Sequence, residues 1–101
     1  MKFEFASKHL YELYTENKGA GKYPPEVVEL YRRRVRHIDA ADNEQDLRQP
    51  TSVHFEKMRS KKYEGKSSMR LNQAWRLILS VEDRKGVKYV LIHEITNHYG
   101  D

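Results

Sequence analysis

From Ser68 onward the chain sets apolar residues against polar ones in short runs divided by turn residues, and no other stretch constrains the fold as much. Met69 and Leu71 interleave with Ser68, Arg70 and Asn72. Asn72 to Trp75 reads as a tight connection into Trp75–Val81, and Glu82 to Gly86 as a second turn before Tyr89–Ile92. Successive strand residues point to opposite faces, so such runs joined by short turns predict an antiparallel meander with one face to bury. A sheet of this kind needs a cover.

The N-terminal half supplies it. Phe3 and Phe5 alternate with Lys2 and Glu4 as a short strand, and Ser7 offers a helix N-cap before Leu10, Leu13 and Tyr14. Asn17 to Tyr23 contains two glycines and runs into Pro24-Pro25, which ends one helix and starts the next with proline in its first turn. Val27, Tyr31, Val35, Ile38 and Ala41 then recur every three or four residues as one apolar stripe, with Arg32, Arg33, Arg36 and His37 facing elsewhere. Asp42 to Pro50 is polar and predicts a turn with a brief helical piece. Ser52 to Met58 alternates again, which restarts the sheet at about Val53, and Arg59 to Ser67 is a lysine-rich loop. The expected class is α+β in the order β-α-α-β-β-β-β, an antiparallel sheet with two helices on one face and the other face open. The length of 101 residues suits one core, so a single domain over 1–101 is expected.

Composition narrows the function classes. Zero cysteine removes disulfides, thiolate zinc sites and thiol nucleophiles together. The start Met1-Lys2-Phe3-Glu4-Phe5 has no apolar core of a signal peptide and the apolar runs are short, so a cytoplasmic protein without membrane contact is expected. A net charge of +4 favours a polyanionic partner. No GxGxxG, Walker loop, GxSxG elbow or HExxH pair is present, and no His/Asp/Glu set has metal-ligand spacing, so neither cofactor nor metal is expected.

Strand parity locates the chemistry. With Met69, Leu71, Leu77 and Leu79 under the helices, Arg70, Asn72 and Arg76 point outward together. The same rule applied to Val53-His54-Phe55 buries Phe55 and sends His54 and Glu56 to the outer face. RNA cleavage without a metal needs a base for the 2′-hydroxyl, an acid for the departing 5′-oxygen and a fixed cation over the phosphorane. Two arginines beside His54 and Glu56 answer to that list. The same residues also suit a solvated face whose arginines pair with Glu56 or Glu82 in weak exposed bridges, so position rather than identity has to decide.

The run Ser68-Met69-Arg70-Leu71-Asn72-Gln73-Ala74-Trp75-Arg76-Leu77 resembles the strand-turn-strand of HigB-type toxins in the RelE/ParE superfamily, Ser-Ile-Arg-hydrophobic-Asn-x-x-Trp-Arg-hydrophobic. The likeness extends to Asp39-Ala40-Ala41, Asp46 to Pro50, Phe55 to Met58 and Val90-Leu91-Ile92. It implies a RelE-like fold and a toxin of a type II toxin–antitoxin system that cuts messenger RNA on the ribosome. It also implies an antitoxin partner, expected to be a small helix-turn-helix protein. Arg70, Asn72 and Arg76 match the motif, with the arginines on the scissile phosphate and Asn72 positioning substrate. Some HigB proteins carry a histidine on the strand after the second helix. That stretch here offers His54, while the aligned position holds Glu56. Many relatives end in Asp-Tyr-His, whereas this chain ends Thr96-Asn97-His98-Tyr99-Gly100-Asp101. Proton transfer is therefore shared out among His54, Glu56, His98 and Tyr99 with base and acid undecided, His98 being favoured over Tyr99 for its imidazole. Lys22, Arg33, Lys57, Lys61 and Lys62 become candidates for backbone contacts to RNA. Two rivals share the fold: a ParE-like toxin that binds DNA gyrase, and an inactive module that only binds its antitoxin.

Overall fold

A computed structural model describes residues 1–97. Its elements are β1 (Lys2–Phe5), α1 (Lys8–Glu16), α2 (Pro25–Ala40), α3 (Glu44–Leu47), β2 (Glu56–Lys57), β3 (Ser67–Arg70), β4 (Arg76–Arg84) and β5 (Val87–Thr96). Local chemistry sets the boundaries. Ser7 Oγ accepts from the Leu10 amide at 3.2 Å and so caps α1, which ends at Asn17 in the left-handed region. Arg32 on α2 donates to the Leu13 and Tyr14 carbonyls at 2.8 and 3.1 Å, placing a cation on the negative end of α1. Proline opens α2, where a missing N–H costs nothing. The brief helical piece expected after α2 is α3, capped by the Asn43 side chain.

The sheet order is β1-β5-β4-β3-β2. β2 to β5 pair antiparallel, as the alternation demands, with the lysine-rich loop joining β2 to β3 and shorter turns following β3 and β4. Lys85 and Gly86 turn β4 into β5 with φ of 54° and 84°, the double left-handed geometry whose twist suits a two-residue hairpin. One pairing corrects the expected antiparallel sheet: β1 lies parallel to β5, with Phe3 opposite Val90, because the chain crosses over through both helices before the meander begins.

Leu10 and Leu13 from α1 and Val27, Tyr31, Val35 and Ile38 from α2 pack with Met69, Leu71, Leu77, Leu79, Val90 and Ile92 into one core. The apolar stripe on α2 thus meets the inner sheet face at the residues the alternation assigns to it. Tyr31 is fully buried and its hydroxyl donates to the Leu10 carbonyl at 2.7 Å. Trp75 packs against the margin of this core, edge-on to Tyr23 at 5.7 Å.

Two further expectations are corrected. The strand expected from Val53 does not form there: Thr51–Val53 is a turn of 3-10 helix, His54 is left-handed with φ 46°, and only Glu56 and Lys57 pair with β3. Pro50 lacks the N–H of a ladder and leads into that helical turn instead. The outer face is also not wholly open. Ile78 alternates with the core-facing Leu77 and Leu79, yet it is fully buried.

Candidate active site

Rows of residues cross the outer face, because residues directly opposite in an antiparallel pair share a side of the sheet. Arg70, Arg76 and Thr96 form one row. Glu56, Ser68, Ile78 and Glu94 form the next. The structure therefore brings Arg70, Arg76 and Glu56 together on one face, as strand parity requires.

Arg76 is 6% exposed, and its Nη2 donates to the His54 carbonyl at 2.5 Å. The left-handed turn at His54 aims that carbonyl at the guanidinium, so the backbone that ends the failed strand is what fixes the arginine. His54 is adjacent to the site through its main chain, not by the strand alternation expected of it. Its side chain is exposed, as is that of Glu56. A planar guanidinium held this way is a preorganised cation with no freedom to surrender when charge develops beside it.

Asn72 holds the turn between β3 and β4. Its Oδ1 accepts from the amides of Ala74 and Trp75 at 2.9 and 2.8 Å, so the carboxamide oxygen serves the connection that sets Arg70 opposite Arg76. Arg34 completes the frame. Its Nε donates to the Arg70 carbonyl at 3.1 Å, tying α2 to the end of β3. Burial, followed by the neighbouring charge of Arg33, draws its pKa below the ordinary arginine value. Sequence reading passed over Arg34 because helical spacing leaves it between the apolar stripe and solvent, and only the docked sheet shows what it meets.

The basic candidates divide into two groups. Lys57 stands beside Glu56 on the edge strand β2, and Lys57, Lys61 and Lys62, the latter two in the loop before β3, are exposed; Lys62 Nζ stands 5.3 Å over the Tyr63 ring. Arg33, on α2, and Lys22, just before it, belong to the helical half of the chain, and Arg33 pairs with Glu29 at 3.0 Å. His98 and Tyr99 lie outside the described residues.

By simple alternation His93 and Glu94 would face opposite sides, but a bulge in β5 shifts the register between Ile78/Glu94 and Leu79/Ile92. Ile92 and Ile95 both reach the core in consequence, while His93 turns outward, its Nε2 2.8 Å from Ser80 Oγ. Burial first, then the Lys66 charge, lowers the pKa of His93, against the opposing pull of Glu82 and Glu94. No signal in the sequence marks a bulge without glycine.

A family model described as "RelE-like toxin of type II toxin-antitoxin system HigB" matches residues 3–93. Toxin HigB-1 of Vibrio cholerae serotype O1 is 32% identical over 83 residues, which are 82% of this chain and 86% of that protein. Among solved structures, the YoeB-YefM complex from Staphylococcus aureus contains a chain that superposes with a TM-score of 0.60 at 22% identity, over 98% of each chain, a likeness of fold.

Proposed function

The chain belongs to the HigB-like, RelE-like toxins of type II toxin–antitoxin systems, and from that premise we propose that it is a ribosome-dependent endoribonuclease that cuts messenger RNA without a metal. The observation that carries this reading is the arginine pair. Arg70 and Arg76 are cross-strand partners on one face, and Arg76 is locked by the His54 carbonyl. A cation held in place beside exposed proton carriers suits a phosphate that gains charge as it becomes five-coordinate.

In the proposed reaction a base removes the proton of the 2′-hydroxyl. The 2′-oxygen bonds to phosphorus, and the bond to the 5′-oxygen breaks as an acid protonates it. The products are a 2′,3′-cyclic phosphate and a 5′-hydroxyl, with no oxidant or water consumed. Arg76 and Arg70 supply the positive charge that a metal supplies in other nucleases. The exposed His54 and Glu56 would supply the base, and His98 and Tyr99 would complete the proton-transfer set. Asn72 positions the substrate through the turn that it holds, and Lys57, Lys61 and Lys62 extend a basic border along which RNA backbone can run. Lys22 and Arg33 would meet ribosomal RNA from the helix side.

An antitoxin is the partner of a type II toxin, and a small helix-turn-helix protein is proposed here. No helix among the described residues is long and apolar enough to cross a membrane. The proposal places the whole chain, acting as one domain, in the cytoplasm with the ribosomes. The test is pulse labelling after induction without antitoxin. Protein synthesis should stop first while DNA synthesis continues. DNA breaks with continuing translation would instead favour a gyrase-binding toxin.

A further inference from the structure

Beyond the arginine row the outer face carries a second polar group that cleavage does not use. Ser80 is 8% exposed and holds the His93 ring at 2.8 Å, while the imidazole itself remains half-buried. By continuation of the β3–β4 register, Lys66 lies across from Ser80, and its charge acts on His93. The bulge in β5 creates this orientation, and bulges serve next to functional sites to re-aim a side chain. Ser80 lies four residues beyond Arg76 on β4, about 13 Å along the strand at ~3.3 Å per residue. That is too far for the scissile phosphate and within reach of a neighbouring nucleotide. Glu82 and Glu94 flank the ring and discourage a phosphate directly over it, which leaves the ring face to a base and Lys66 to the backbone.

We propose that Ser80, His93 and Lys66 form a nucleotide subsite in which the anchored imidazole stacks on a base next to the cleaved bond and Lys66 contacts the phosphate beyond. This rests on the nuclease reading for the identity of the ligand. Single-stranded RNA is bound by ring stacking together with backbone cations, and a stacked base is worth roughly five- to a hundredfold in affinity.

The experiment measures fluorescence anisotropy of a short labelled single strand, made uncleavable with 2′-deoxy sugars, in EDTA at several salt concentrations. His93→Ala should weaken binding by roughly five- to a hundredfold with an unchanged salt slope. Lys66→Ala should reduce the slope by about 0.7, the loss of one single-strand phosphate contact. His93→Tyr, which keeps a ring, should recover part of the loss, and Lys88→Ala, whose ammonium pairs with Glu44 away from the subsite, should change neither affinity nor slope. Circular dichroism establishes that each variant is folded, and His93→Gln, which keeps a hydrogen-bonding group beside Ser80, replaces His93→Ala if that variant is not. Wild-type affinity and slope in the His93 and Lys66 variants overturn the subsite, as does a wild-type protein that does not bind this strand. Binding that follows these predictions without cleavage on ribosomes refutes the nuclease reading alone.

Discussion

Replacing Arg76 separates chemistry from scaffolding. The guanidinium is nearly sealed from solvent and bonded to a main-chain carbonyl, so Arg76→Ala removes a fixed cation and leaves the His54 carbonyl without that donor. Losing one preorganised charge-stabilising donor costs about 10²- to 10³-fold in the chemical step, or roughly 2.7–4 kcal/mol. A hydrogen bond to a charged group contributes about 1.5–3 kcal/mol to folding, and each kcal/mol moves the melting temperature of a domain this size by about 4–8 °C. Arg76→Ala should therefore melt about 6–24 °C lower and cleave far more slowly at a temperature where it is fully folded. Arg76→Lys keeps the charge but loses the planar fork, and should fall between wild type and alanine. Lys61→Ala is the control: exposed in the loop between β2 and β3, it should lower ribosome affinity and its salt dependence while leaving the saturated rate intact. The assay is single-turnover cleavage at saturating ribosomes, with affinity measured at two salt concentrations. If folded Arg76→Ala cleaves at nearly the wild-type rate, the outer-face site is wrong.

Other substitutions test the framework. Tyr31→Phe removes the buried bond to the Leu10 carbonyl and should cost about 1–3 kcal/mol in urea unfolding, without touching cleavage per folded molecule. Leu79→Ala, at the centre of the core, should cost about 2–5 kcal/mol by the same measurement. Because the pKa of His93 is lowered in the folded chain, its contribution is present above the ordinary histidine value of 6.5 and is lost as pH falls through the folded value; folding stability of His93→Gln should therefore decline less than wild type on acidification below pH 6.5, and parallel curves would refute it.

Much of this architecture is legible in the sequence because two periodicities carry it. The spacing of Val27, Tyr31, Val35 and Ile38 reveals the buried stripe of α2, and the alternation around Met69, Leu71, Leu77 and Leu79 identifies the face it meets. Arg70 and Arg76 could be placed from that alternation alone. What escaped depends on contacts between distant segments. β1 joins the sheet parallel because of the crossover, and four residues of strand do not state their partner. The segment Thr51–His54 alternates like a strand, but Pro50 and the left-handed turn at His54 override the pattern. The β5 bulge shifts His93 onto the outer face through a register decided by core packing at Ile92 and Ile95. Arg34 gains its role only when α2 docks on the hairpin.

The central claim is that this toxin cuts messenger RNA on the ribosome. It is tested most directly by incubating purified protein with a defined messenger RNA, with and without ribosomes stalled at a known codon, and analysing the ends of the fragments. The account predicts cleavage only when ribosomes are present, at the stalled codon, leaving a 2′,3′-cyclic phosphate and a 5′-hydroxyl, and its loss in folded Arg76→Ala. Intact messenger RNA on stalled ribosomes would contradict it, as would fragments ending in a 5′-phosphate.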